Sequence, residues 1–430
     1  MSGWFTSKRS GLRALLGCIV LLTVFSTGVS AATLSTPADD PADISIWPNR
    51  VSRANSDAWL VRHHDLIRRM QPRLLVLNFS NQARRDHLDG MLDKIIAALA
   101  EGSRYHGYKD QGAPAFLQYR LFKFVDLRDA GGGRGNSTKL PLKTGVSTGF
   151  NLDYNRFFSE EFARYYGVRD PKRPERFLRL AELVEGGYVH ELWFFVEHDE
   201  HFRAYEVVEE KPCYDESFHR IGRAWVQAGN GGDGEQKWTG RSLRIAFINA
   251  SRGVGCFMES LSHGIEGTAQ SGAIPYFSRH FRDYAGMNLN RRYPQYPWVS
   301  FYALGPKDRI DYPDSKTAVI SRDGRRITLH DYIAHGGNVH FTPNGRFHYD
   351  LQNRQGVLST IEDWRIGSGP GGRDLAQPWD GAVLARYRHS APDCMGPWLI
   401  YWRQNFPGLH NRQKDEEGRR MKNWWPFLFY

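Results

Sequence analysis

Glu259, His263 and Glu266 stand at i, i+4 and i+7 within the segment 244–267, RIAFINASRGVGCFMESLSHGIEG. On a helix this spacing lines two carboxylates and an imidazole along one stripe, a set able to hold a divalent metal or to act as an acid/base pair. Val254, Phe257, Leu261 and Ile265 form the opposing apolar stripe, so an amphipathic helix with a solvated polar face is the competing reading. Two features favour chemistry. The polar face carries no Lys or Arg, whereas a solvated face usually mixes signs. Gly264 and Gly267 each cost about 1 kcal/mol inside a helix, which implies close approach by another part of the molecule. The preceding Arg252-Gly253-Val254-Gly255 reads as a strand-to-helix turn, where open α/β sheets bind ligands and where a helix start attracts anions. Arg252 is therefore a candidate substrate contact.

A second histidine-bearing segment is His340-Phe341-Thr342-Pro343-Asn344-Gly345-Arg346-Phe347-His348-Tyr349-Asp350. Pro-Asn-Gly signals a turn, so a hairpin is expected. A three-residue loop would set His340 opposite His348 with Asp350 on the same face; a two-residue loop would put Phe341 opposite His348 and separate the histidines. His340, His348 and Asp350 are candidate metal ligands, and Asn344 a candidate substrate contact. Glu197-His198-Asp199-Glu200-His201 is metal-compatible by residue type, but adjacent residues on an extended segment point alternately, and a solvated acidic loop competes. Glu191 lies in a strand expected to be buried, where a carboxylate needs a partner or a purpose; it joins Glu259 and Glu266 as a candidate catalytic group. Gly145-Val146-Ser147-Thr148-Gly149 matches a nucleophile elbow, although Pro141 breaks the strand that should enter it. The chain contains no P-loop, HExxH or paired CxxC motif.

Aromatic residues make up 13% of the chain. Trp298 and Trp402 are candidate platforms for sugar rings, against the competing role of core packing. The terminal NWWPFLFY reads as a docked, buried end.

The elements that must position these groups follow from periodicity. Arg73–Phe79 is a near-continuous apolar run, the pattern of a strand covered on both faces. Residues 86–104 show helical spacing, 116–127 strand character, 157–166 and 175–184 helical patterns, and 190–196 and 245–248 further strands. The alternation predicts an α/β fold, a mostly parallel sheet with flanking helices over residues 56–270, plus an irregular aromatic-rich C-terminal lobe over 271–430 packed on it. Residues 32–55, with three prolines, read as a linker.

Residues 1–31 have the form of an export signal: Lys8, Arg9 and Arg13, an apolar run from Ala14 to Phe25, then small residues. The run is short for a membrane span and no later segment approaches the roughly 20 apolar residues required. A secreted or periplasmic protein is expected. Loss of the signal lowers the formal charge from +10 to +7, an excess suited to anionic polymers or surfaces, yet without the dense basic cluster that would argue for nucleic acid. Cys213, Cys256 and Cys394 would remain, permitting one disulfide and one thiol.

Taken in order, HELWFF, the RGVGCFMESLSHGIEG helix, NVHFTPNGRFHYD and the WW-containing C-terminus resemble a group of secreted bacterial proteins of uncharacterised activity. The likeness runs over roughly residues 70–430, with Ser262 where a Gly is often seen. It implies that the helix carries the site and implies no reaction. The residues therefore point to an exported hydrolase of an extracellular or cell-wall polymer, polysaccharide ahead of protein, working through Glu259, His263 and Glu266 with a divalent metal (Zn or Ca) or without one. A metallopeptidase-like or serine hydrolase, and a non-enzymatic glycan- or surface-binding protein, are the alternatives.

Overall fold

The apolar run at Arg73–Asn78 alternates between two cores, because the sheet it belongs to is covered on both sides. Leu74 and Val76 face one buried cluster while Leu75 and Leu77 face the other, so neither set of alternate positions can be polar. The computed structural model describes residues 36–52, 56–146, 150–199, 201–231, 239–298 and 304–430. The signal segment and Ser147–Gly149 of the elbow-like motif lie outside them.

The principal strands are β1 (Arg73–Asn78), β2 (Arg120–Asp126), β3 (Glu191–Val196), β4 (Val207–Tyr214), β5 (Arg220–Gly229) and β6 (Leu243–Asn249). They form one sheet in the order β2-β1-β3-β6-β4-β5. The first four are mutually parallel; β4 and β5 add an antiparallel hairpin at the β6 edge. The fold is thus mixed α/β with a mostly parallel sheet. The two long helices, α1 (Arg85–Gly102) and α2 (Val254–Ser271), both place their apolar residues in the cluster that holds Trp193, Phe195 and Ile248. The opposite face is covered by shorter pieces, Tyr154–Phe158, Glu160–Tyr166 and Leu180–Glu185.

Several expectations change. The helix expected over 175–184 is cut short: Arg173–Phe177 is extended and pairs with Arg169–Asp170, leaving Leu180–Glu185 helical. Arg176 there bridges Asp170 and Glu182, an arrangement that holds the extended segment against the helix. The stretch read as a linker is structured where described: Ile46–Trp47 pairs with Arg69–Met70, and Trp47 is buried in the core. The hairpin β4–β5 has no apolar signature in the sequence, since Glu209, Glu210 and Lys211 interrupt its pattern.

The C-terminal residues hold more regular structure than their composition suggests. Strands β7 (Arg309–Asp314), β8 (Thr317–Arg322) and β9 (Arg325–Leu329) form an antiparallel sheet, and α3 (Pro275–Tyr284) and α4 (Gly396–Gln404) pack on α2. The expected 340–350 hairpin does not form; the segment is a run of turns braced by side chains. Trp364, Trp398, Trp402, Trp424 and Trp425 are all buried among the core aromatics, and Tyr430 closes the docked end. Among the described residues no helix is long and apolar enough to cross a membrane.

Candidate metal centre

Helix α2 has two buried faces. Its apolar stripe lies toward the sheet, and Glu259, His263 and Glu266, all less than a tenth exposed, meet the segment that carries His340. The glycines explain how the helix sits so close. A Cβ on Gly264 would lie 2.9 Å from the Val207 side chain, and one on Gly267 would lie 1.9 Å from the Gly229 carbonyl oxygen. The close approach implied by those glycines is therefore made by β4 and β5. Gly272, at φ +73°, ends the helix in the left-handed conformation.

The start of α2 is already occupied. The Asp393 carboxylate accepts from the backbone N–H of Gly253 and Gly255, both at 2.9 Å, and the adjacent Cys394 forms a disulfide with Cys256. The glycine turn thus serves a carboxylate from the same chain rather than an external anion. Arg252 is exposed beside it and lines a small cavity with Glu206, Asn249 and Ser260.

At the centre, His263 Nε2 lies 3.2 Å from His340 Nε2, and His340 Nε2 lies 3.3 Å from Glu259 Oε1. The ligating atoms of these three residues all fall within 4.8 Å of one another. Tetrahedral ligands at about 2.0–2.1 Å from a zinc ion are about 3.3–3.4 Å apart, so two of the three edges have the spacing such an ion imposes. Glu266 is no ligand: Oε2 lies 3.2 Å from His263 Nδ1, and Oε1 accepts from the Val339 N–H at 3.0 Å. It orients the imidazole and pins the His340 segment to the helix, the carboxylate–histidine arrangement that fixes a ring for metal binding.

Two further residues complete the cluster. Glu206, immediately before β4, brings Oε2 to 4.0 Å from His263 Nε2. Tyr349 donates its hydroxyl to Glu259 Oε1 at 2.5 Å and lies 3.3 Å from His340 Nε2. Tyr349 has φ +65° and is 46% exposed, a strained backbone holding a reachable phenol over the cluster. Tyr349 stood in the quoted motif without a role assigned to it. Glu206 carried no signal, because its neighbours give it no motif.

The environments of the carboxylates differ. Burial raises Glu206 above the ordinary range. Burial would raise Glu259 too, but hydrogen bonds from His340 and Tyr349 and the charges of both imidazoles more than offset it, leaving Glu259 below its ordinary value. For His263, burial opposes the charge, yet Glu266, Glu206 and Glu259 outweigh it and the imidazole is raised.

Other candidates serve the scaffold. His348 stacks on His340 with ring centroids 4.6 Å apart and spans to the Leu304 carbonyl through Nε2 at 3.0 Å, so the histidines meet without a hairpin. Asp350 is held by Arg346 and accepts from the Arg346, Gln352 and Asn353 amides; it shapes the loop and points away from the ligand atoms. Asn344 donates its amide to the Asn353 and Gln355 carbonyls, and its own carbonyl accepts from the Asn353 side chain. Trp402 is fully buried and offers no face to a sugar, while Trp298 is half-buried against Tyr296 and under Arg322.

Glu191 lies in a separate buried network, taking Arg244 at 2.9 Å, the Tyr119 hydroxyl at 2.9 Å and the Trp193 indole at 2.8 Å, with Glu209 on the other side of Arg244. Its partners leave it a structural charge beneath α2. In the 197–201 cluster, Glu197 accepts from Ser80 and Asp199 from Asn136, so these groups brace loops. A separate cavity of 800 Å³ shares none of the cluster's residues, and its lining contains ion pairs such as Lys422–Asp65 and Arg279–Glu216.

Comparison of the chain with protein-family models, with curated proteins and with solved structures finds no match in any of the three.

Proposed function

We propose that this chain is a metal-dependent hydrolase of an extracellular polysaccharide, with a divalent ion held by Glu259, His263 and His340. One observation carries the proposal: two imidazole nitrogens stand 3.2 Å apart with a carboxylate oxygen 3.3 Å from one of them. Two neutral rings can share only one proton across such a contact, and Glu206 adds further negative charge nearby. A divalent cation satisfies every one of these acceptors at once. Two imidazoles in the set favour zinc over calcium, which prefers oxygen.

Such an ion supplies a water acidic enough to ionise near neutral pH. Glu206, raised by burial, is placed to take and return a proton. Tyr349, on the open side of the cluster, can donate to an oxygen that gains charge. The export-type N-terminus and the basic net charge support an extracellular polymer as substrate.

The test is elemental analysis of the purified protein by mass spectrometry, with a panel of polysaccharides assayed with and without chelator. One equivalent of metal is expected, lost in His263→Ala and His340→Ala, together with chelator-sensitive hydrolysis. Failure to take up stoichiometric zinc would sink the proposal. It would favour a second reading, in which Glu206, raised, and Glu259, lowered, divide the acid and base roles of a metal-free glycosidase.

A further inference from the structure

We infer that the polysaccharide is an acidic one, bound along a basic groove that leads from the metal cluster across α1. This rests on the hydrolase reading for its substrate class, but on different residues for its chemistry. Three depressions adjoin. The first, 140 Å³, is lined by Glu206 of the cluster and by Arg252. The second, 440 Å³, shares Arg252 and Gly253 with the first and is walled by α1. The third, 760 Å³, shares Lys94, His389 and Ser390 with the second. The second and third are each of the size that binds small organic ligands, roughly 300–1,000 Å³.

The charge along this path is unequally compensated. The carboxylates that line it are engaged: Glu206 accepts from the Asn230 amide and faces His263, Asp393 caps α2, Asp86 pairs with Arg84, and Glu101 takes Arg104 and the Gln404 amide. Lys94 and Arg252 are exposed and enter no ion pair among the described residues, while Arg386 is bonded to neutral partners, the Tyr108 carbonyl and the Tyr387 hydroxyl. The uncompensated charge is therefore positive, and its two anchors both line the middle depression, Arg252 shared with the first and Lys94 with the third. Interleaved carboxylates such as Asp86 and Glu101 call for hydroxyl donors beside the acid groups of the ligand, whereas a DNA backbone brings them phosphates and no hydroxyls. A glycan avoids that conflict. Its hydroxyls can donate to those carboxylates while its carboxyl or sulfate groups meet Lys94 and Arg252.

The experiment is calorimetric titration of the full chain with oligogalacturonate, a heparin hexasaccharide, maltohexaose and a DNA oligonucleotide of matched charge, at low and high salt. At least one acidic glycan is expected to bind, more weakly at high salt, with maltohexaose and DNA silent; the uronate and sulfate arms tell which acid group is read. Lys94→Glu combined with Arg252→Glu is expected to weaken that binding about 100-fold, as the loss of two charge-assisted contacts implies. Chelator-treated protein should bind as before, since the anchors lie outside the cluster. Acidic-glycan binding by a protein that takes up no metal would leave the groove standing while the hydrolase proposal fails. No acidic-glycan binding, equal binding of DNA, or no effect of charge reversal would overturn the groove.

Discussion

At the scale of single residues, the group that changes meaning most is Glu266. Its spacing on α2 suggests a second catalytic carboxylate, yet both oxygens are engaged, one by His263 Nδ1 and one by the Val339 amide. Glu266→Gln isolates this role. The amide oxygen can keep Val339, which turns the NH₂ group toward His263 and forces the ring proton onto Nε2, the atom that faces His340. Metal affinity should fall about 10–100-fold with the fold intact, as for other partners that orient a ligating histidine. A pH signature accompanies it in the metal-free protein. His263 is raised, burial being outweighed by Glu266 and its neighbours, so its stabilising contribution is complete below the unfolded histidine value near 6.5 and is lost as pH rises through the folded one. The variant should therefore lose more melting temperature at pH 6 than at pH 9. An equal loss at both would mean that the carboxylate acts only as a packing group.

Among the elements, the critical contact is α2 against the β4–β5 hairpin. Gly267→Ala would drive a Cβ into the Gly229 carbonyl, a backbone atom that cannot rotate away. A destabilisation of about 1–3 kcal/mol is expected from such overpacking, read as a lower urea midpoint. The displaced helix should also separate His263 from Glu206, which precedes the strand it packs on. The same contact shows where the sequence is legible. Strands β1, β3 and β6 announce themselves because both faces are apolar, and α1 and α2 because their apolar residues recur at helical spacing. The glycines on α2 correctly signal a close neighbour, without saying that the neighbour is a strand rather than a ligand. Strand β4 stays hidden because its Glu209 and Lys211 look solvated; they are buried because Glu209 takes Arg244 and Lys211, and Lys211 is held further by Ser242 and the Tyr430 carbonyl, with Arg244, Ser242 and Tyr430 brought in from distant sequence. Glu206 is illegible for the same reason, its role arising entirely from a tertiary approach. His340 and His348 are brought together as a three-residue hairpin loop would have done, but by turns that Asp350 and Asn344 brace.

Over the whole molecule, the site is assembled from three places in the chain, at 206, 259–266 and 339–349, inside one compact unit running from Ser35 to Tyr430. A boundary near residue 270 in the sequence falls in the middle of the largest core, which joins Trp193 and Phe257 to Trp398 and Trp424. The C-terminal part, packed on α2 through the aromatic core, is also clamped covalently and electrostatically at one point: the Cys256–Cys394 disulfide beside the Asp393 cap. The bridge closes 138 residues of chain, and constraint of the unfolded state by a loop that long is worth up to about 5 kcal/mol, with 2–4 the usual range. Cys256→Ala/Cys394→Ala should accordingly lose the larger part of that range in unfolding free energy, read as a lower urea midpoint. The Asp393 carboxylate and the aromatic core remain in the folded double variant, so zinc affinity measured well below the midpoint should change by less than about threefold, within the scatter of a remote substitution. A matching collapse of zinc affinity would instead make the bridge a positioning element for His340, transmitted through Asn338, whose carbonyl accepts from the Trp398 indole near the start of α4.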